Sequence, residues 1–190
     1  MNTIPYTDSS AVRQATAILE QGGVIIYPTD TLYGLGVDAT RPDAVRRLEQ
    51  LKGRGGPWSV LIADKESLRP WISLPAEAIP TTLAPLGGKT TVIIPVKSGW
   101  VDTAVLGPDQ SLGVRIPDHS FCRQLSVHYG RPITSTSVNR TQHPPLHRIH
   151  DIIAEFGGEV DLIIDAGDLP PSAGSTIYRW DGQALVRIRP

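Results

Sequence analysis

Apolar and polar positions follow two different periods along this chain, and the switches between them mark its elements. Val12, Ala15, Ile18 and Leu19 recur at helical spacing. They predict a first helix that Ser9 or Ser10 caps and that runs to Gln21, where Gly22-Gly23 stops it. Residues 24–27 are wholly apolar, as in a strand buried on both faces. Beyond them the pattern predicts a short strand at 35–37, a helix from Pro42 to about Leu51 and a strand at 58–63. Two short helices follow in 65–86, broken by Pro70, Pro75 and Pro80. Strands at 90–96 and 111–116, a helix at 117–130 and a strand at 133–137 come next, then a loop at 139–145. The chain closes with a helix at 148–156, a strand at 160–165 and a hairpin, 176–180 with 184–189, turning at Asp181-Gly182. Helices alternating with strands, with an antiparallel end, predict an α/β fold with a mixed sheet.

Composition narrows the class. A length of 190 residues suits one domain, 1–190. The 18 glycines and 17 prolines fall between the apolar runs, which makes them turns rather than disorder. No apolar run approaches the ~18 residues of a membrane span, and the N-terminus has no basic-then-apolar leader pattern. With Cys122 the sole cysteine, an internal disulfide framework and a multi-cysteine zinc site are excluded; the expected location is the cytoplasm. A net charge of −1 gives no global field for nucleic acid. Most of the basic residues are arginine, which grips phosphate or carboxylate with two parallel bonds.

Three nucleotide or metal motifs fail on inspection. Gly88-Lys89-Thr90 ends like a phosphate-binding loop, but Leu83 stands where its first glycine belongs, and a strand follows instead of a helix. Gly34-Leu35-Gly36 fits the loose dinucleotide pattern, yet Asp38, Thr40 and Pro42 delay the helix that would receive a pyrophosphate, so a turn is expected there. His143, His147 and His150 have no cysteine beside them and Pro144-Pro145 among them, so they are read as exposed or capping residues rather than zinc ligands.

The polar clusters that remain sit at strand and helix ends. Pro28-Thr29-Asp30-Thr31 leaves an apolar strand, where α/β proteins bind ligands, although Asp30 capping its own turn explains it equally well. Lys52-Gly53-Arg54 closes a helix and is either dipole pairing or an anion clamp. In Ser135-Thr136-Ser137-Val138-Asn139, strand alternation puts Ser135, Ser137 and Asn139 on one side, suited to phosphate oxygens. Ser175-Thr176 and Arg187 form a further polar set on the terminal hairpin.

Taken in order, these blocks resemble the YrdC-like threonylcarbamoyl-AMP synthase family. Gly23 through Leu35, containing Tyr27-Pro28-Thr29-Asp30-Thr31-Leu32-Tyr33-Gly34, is similar to the family's opening signature. Lys52-x-Arg54, Gly113-Val114-Arg115-Ile116-Pro117, Ser135 to Asn139, Ser175-Thr176 and Leu185-Val186-Arg187 follow in the family's order. The resemblance implies a twisted mixed sheet with helices around a positively charged cavity. It implies synthesis of threonylcarbamoyl-AMP and pyrophosphate from L-threonine, bicarbonate and ATP, as a nucleotidyltransferase. Mg²⁺ would accompany ATP, with no direct protein ligation. Downstream tRNA threonylcarbamoyl-transfer proteins would be the partners. By the same resemblance Lys52, Arg54, Ser137 and Asn139 form a catalytic tetrad. Threonine falls to Thr31, Lys52, Arg54 and Arg115, and nucleotide to Lys52, Arg54, Ser135, Ser137, Asn139, Ser175 and Arg187.

The chain departs from the family pattern at Gly55-Gly56-Pro57-Trp58, which is short, and at Leu86-Gly87-Gly88-Lys89, Arg140-Thr141-Gln142, Tyr178 and Arg187-Ile188-Arg189. Those departures leave two alternatives. One is a non-catalytic relative that binds RNA or nucleotide, with direct RNA contact left open. The other is a carbamoyl-adenylate former with another acceptor, as in hydrogenase-maturation proteins.

Overall fold

The frequent glycines and prolines cut the chain into short elements. The structure, a computed structural model, describes residues 2–190. In chain order the elements are β1 (Thr3–Pro5), α1 (Ala11–Glu20), β2 (Ile25–Tyr27), β3 (Gly34–Gly36), α2 (Pro42–Lys52), β4 (Val60–Leu61), α3 (Lys65–Leu68) and α4 (Ile79–Leu83). They continue with β5 (Thr90–Pro95), β6 (Ser111–Arg115), α5 (Ser120–Tyr129), β7 (Ile133–Thr134), β8 (Thr136–Ser137), α6 (Ile149–Phe156), β9 (Leu162–Asp165), β10 (Thr176–Trp180) and β11 (Leu185–Arg189).

The α/β class and the mixed pairing hold, but the strands divide into two sheets. One runs β1-β9-β2-β3-β8 and the other β11-β10-β5-β6-β4-β7. Both mix parallel pairs, such as β2 with β9 and β5 with β10, with antiparallel ones. The predicted strand at 133–137 belongs to both sheets. Ile133-Thr134 pairs with β4, Thr136-Ser137 pairs with β3, and the chain changes sheet at Ser135. The site lies where the sheets meet. The sequence pattern also missed β1, a three-residue strand with one apolar side chain, Ile4, that runs parallel to β9.

Side-chain alternation explains the layering. Along β2 and the residue before it, Ile25 and Tyr27 join α1 and α5 in one core, while Val24 and Ile26 face a second core shared with α2 and α6. Ile163 faces the second core and its neighbours Leu162 and Ile164 the first. A strand buried on both faces cannot carry polar residues, which is why 24–27 is all apolar. α1 is an amphipathic cover, with Ala11, Ala15 and Leu19 buried. Ser10 takes its N-cap position, but the Ser10 hydroxyl donates to Asp8 and makes no cap bond.

The glycines of the apparent dinucleotide motif serve packing. Gly34 and Gly36 lie in β3, not in a turn, and pair with Tyr27 and Ile25. A Cβ on Gly36 would stand 2.6 Å from the Tyr27 ring. The ring is fully buried there, and its hydroxyl donates to the Thr134 carbonyl at 3.0 Å. The next helix, α2, starts only at Pro42, so the glycines do not open a helix that could receive a pyrophosphate.

Candidate active site

Strand ends from both sheets enclose a cavity of about 290 Å³. Thr29 and Thr31 line it from the turn after β2, Ser135 to Ser137 from the sheet crossing, Ser175 from just before β10 and Ile177 from within it. Three arginines, Arg54, Arg115 and Arg189, reach its wall, and no carboxylate does among the described residues.

The turn after β2 is organised by Thr29, not by Asp30. The Thr29 hydroxyl accepts from the Thr31 and Leu32 amides at 3.1 and 3.2 Å and donates to the Leu32 carbonyl at 2.7 Å. Asp30 is thereby released to bind elsewhere. It accepts from Arg115 at 2.9 Å and from the Asp118 amide at 2.9 Å. The Arg115–Asp30 pair is buried, with side chains 9% and 8% exposed. Arg115 also donates to the Thr31 hydroxyl at 3.2 Å. A buried ion pair with further hydrogen bonds holds its members in one geometry, so Arg115 and Thr31 form a fixed corner of the cavity.

Lys52 and Arg54 divide at the helix end. Lys52 is the last residue of α2, and Gly53, at φ +66°, turns the chain left-handed as the C-cap. The Lys52 side chain therefore goes inward while Arg54 continues to the cavity. Lys52 Nζ donates to the Ser137 carbonyl at 2.9 Å, the Asn139 carbonyl at 2.8 Å and Asn139 Oδ1 at 2.7 Å. All three ammonium protons are used. Burial without a carboxylate partner, with Arg54 and Arg140 nearby, pushes its pKa down to about 8.

Asn139 completes the knot. Its Oδ1 also accepts from the Ser137 hydroxyl at 2.7 Å, and its amide donates to the Arg140 and His143 carbonyls. Arg140 donates to the Leu51 carbonyl at 2.9 Å and the Thr141 hydroxyl to the Lys52 carbonyl. These bonds satisfy orphan carbonyls at the end of α2. The structure thus brings all four expected tetrad residues together. Arg54 and Ser137 lie on the cavity wall, and Lys52 and Asn139 stand behind it. Thr136 joins Ser135 and Ser137 on the wall, because the change of sheet at Ser135 breaks the simple alternation.

Arg187 does not line the cavity; Arg189 does. Arg189 pairs with Ile177 and Arg187 with Tyr178, so β11 holds an extra residue, Ile188, against one step of β10. Partners across an antiparallel pair share a face. Ile177 faces the cavity, so this bulge turns Arg189 towards it and Arg187 away. Arg189 then donates to the Ser175 carbonyl at 2.8 and 3.0 Å, while the Ser175 and Thr91 hydroxyls lie 2.7 Å apart. Its burial and the nearby Arg115 lower its pKa from the ordinary arginine value. Only the Arg187-Ile188-Arg189 spacing pointed to a second arginine, and the bulge that selects it leaves no mark in the sequence.

Among the described residues, no group of three or more His, Cys, Asp and Glu side chains is placed to hold a metal, the three histidines of 143–150 included. Nor, among the described residues, is any helix long and apolar enough to cross a membrane.

Comparison with known proteins matches residues 17–190 to the Sua5/YciO/YrdC family model, described as telomere recombination. A threonylcarbamoyl-AMP synthase of Halorhodospira halophila is 34% identical over 166 residues, covering 84% of this chain and 85% of that protein. The Bacillus subtilis protein of the same name is 29% identical over 97% of this chain, which spans only 54% of its length. The solved structure of Pyrococcus abyssi Sua5 complexed with L-threonine superposes with a TM-score of 0.87 at 26% identity, covering all of this chain and 56% of that one.

Proposed function

The chain belongs to the Sua5/YciO/YrdC family, and from that premise we propose that it is an L-threonylcarbamoyladenylate synthase, a cytoplasmic nucleotidyltransferase. It joins L-threonine, bicarbonate and ATP into threonylcarbamoyl-AMP and releases pyrophosphate. Its product goes to proteins that transfer the threonylcarbamoyl group to tRNA.

The observation that carries this reading is the convergence of Arg54, Arg115 and Arg189, from three separate segments, on one cavity whose wall has no carboxylate among the described residues. The reaction needs such a wall. The threonine amine adds to bicarbonate with loss of water, and a carbamate oxygen then attacks the α-phosphate as pyrophosphate departs. An anion approaches a polyanion, so alignment and charge stabilisation are the main tasks. Arg115 and Thr31 take the threonine. Arg54, Arg189, Ser175 and the hydroxyls of Ser135 and Ser137 take the nucleotide and its phosphates. Lys52 and Asn139 act from behind, holding the 135–139 segment so that these hydroxyls face the cavity. Mg²⁺ carried with ATP would offset phosphate charge, and the wall would offer it the hydroxyls of Ser135 and Ser137 rather than a carboxylate among the described residues.

The test is pyrophosphate release from ATP and bicarbonate, with and without L-threonine. Release that depends on threonine is expected. Serine lacks one methyl, worth about 1–3 kcal/mol, so partial turnover with serine is expected as well. ATP binding without pyrophosphate release would point to a binding protein, and release indifferent to threonine would point to another acceptor.

A further inference from the structure

The loop that carries Arg54 has little of its own to hold that side chain. Gly55, Gly56 and Pro57 offer no polar side chain, and the guanidinium takes one bond from the loop, to the Gly55 carbonyl at 2.7 Å. It has no carboxylate partner among the described residues. It also rests on the face of Trp58, with the guanidinium carbon 4.2 Å from the ring centroid. Both residues line the cavity.

Trp58 is itself immobile. It is 2% exposed, and its amide donates to the Val105 carbonyl at 3.0 Å. The loop is seated on the same segment, because a Cβ on Gly56 would fall 2.2 Å from the Ala104 carbonyl oxygen. The indole N–H is buried and has no partner among the described residues. An unpaired buried donor is a cost that leucine or phenylalanine at this position would not carry. The gain that offsets it must lie in the ring, and a cation resting on the π face of a desolvated indole supplies one.

We propose that Trp58 is a positioning residue, its indole face holding the Arg54 guanidinium ready at the cavity for the phosphates. The functional half of this inference rests on the reading of Arg54 as a phosphate contact; the geometric half does not. Two measurements separate them.

The first uses NMR on the unliganded protein. The Arg54 side-chain methylene protons next to the guanidinium should be shifted upfield by the indole ring current, and W58L should remove that shift. Unshifted protons in the wild type would overturn the proposal whatever the protein does. The second uses calorimetry with a nonhydrolysable ATP analogue on the wild type, W58L, R54A and the double variant. W58L should weaken binding about tenfold, and W58F should recover most of the loss by restoring an aromatic face. In the R54A background W58L should change nothing further, because its effect passes through Arg54. Additive losses would make Trp58 a filler of space and overturn the proposal. Should W58L fail to fold, W58M supplies the ringless comparison. A wild type that shows the ring-current shift but binds no nucleotide would refute the functional reading and leave the platform standing.

Discussion

Two neighbouring parts of the site use polar residues in opposite ways. Behind the cavity, Lys52 and Asn139 form a closed knot in which every ammonium proton has an acceptor and the amide of Asn139 is bonded at both ends. At the wall, Arg54 and Arg189 have backbone carbonyls but no carboxylate, among the described residues. The two cations of Lys52-Gly53-Arg54 fall on opposite sides of this division. A buried group whose bonds are complete shapes the site, whereas one with donors left over is available to a ligand. Richness in polar residues does not distinguish the two cases; the hydrogen-bond account does.

The contrast is sharpest when one residue of each kind is removed. Arg54→Ala should cost about 3 kcal/mol of transition-state stabilisation, roughly 100-fold in kcat/KM for pyrophosphate release, while the fold stays intact and Tm falls only by the few degrees that loss of the Trp58 contact brings. Lys52→Ala should damage both properties. It takes the ammonium donor from two backbone carbonyls and one of two donors from Asn139 Oδ1, at about 1–3 kcal/mol for a buried unsatisfied group, which in a chain of this length lowers Tm by roughly 2–10 °C. Activity should fall with it, because the Ser137 segment loses its anchor. A Lys52→Ala protein with wild-type Tm and no activity would move Lys52 to the wall and erase the contrast.

A smaller effect separates the two arginines of β11. Arg189→Ala should raise the KM for ATP about tenfold, as expected for one charge-assisted contact, whereas Arg187→Ala should leave it within about twofold. The reverse result would mean that the bulge at Ile188 is absent in solution. The mildest prediction concerns pH. Lys52 titrates near 8 in the folded protein and near 10.5 when exposed. Between those values the unfolded chain holds the extra proton, so stability gains a positive slope with rising pH. Denaturation at pH 8 and pH 10 should reveal that gain in the wild type relative to Lys52→Met. An identical pH response in both proteins would contradict the shift.

Much of this organisation could be read from residue pattern, within physical limits. The strands at 24–27, 90–96 and 111–116 and the helices starting near Pro42 and ending at Gly130 were legible, because burial on both faces and glycine helix ends each leave a local signature. Division into two sheets was not, since it depends on which partner each half of 133–137 finds, and five residues cannot state two partners. Lys52 and Arg54 were legible as a polar pair at a helix end but not their parting, which the left-handed turn at Gly53 produces. Arg189 was missed because strict alternation places 187 and 189 on the same face, and only the bulge breaks that equivalence. Trp58 looked like an ordinary apolar residue opening a strand; its contact with Arg54 exists only once the loop is folded against Ala104 and Val105.

A crystal structure with L-threonine and a nonhydrolysable ATP analogue tests the account most directly. The amino acid is expected at Thr31 and Arg115 and the phosphates against Arg54, Ser137 and Arg189, with the Lys52–Asn139 bonds unbroken. A nucleotide bound away from this cavity, or phosphates drawn to Lys52 with the knot opened, would contradict it.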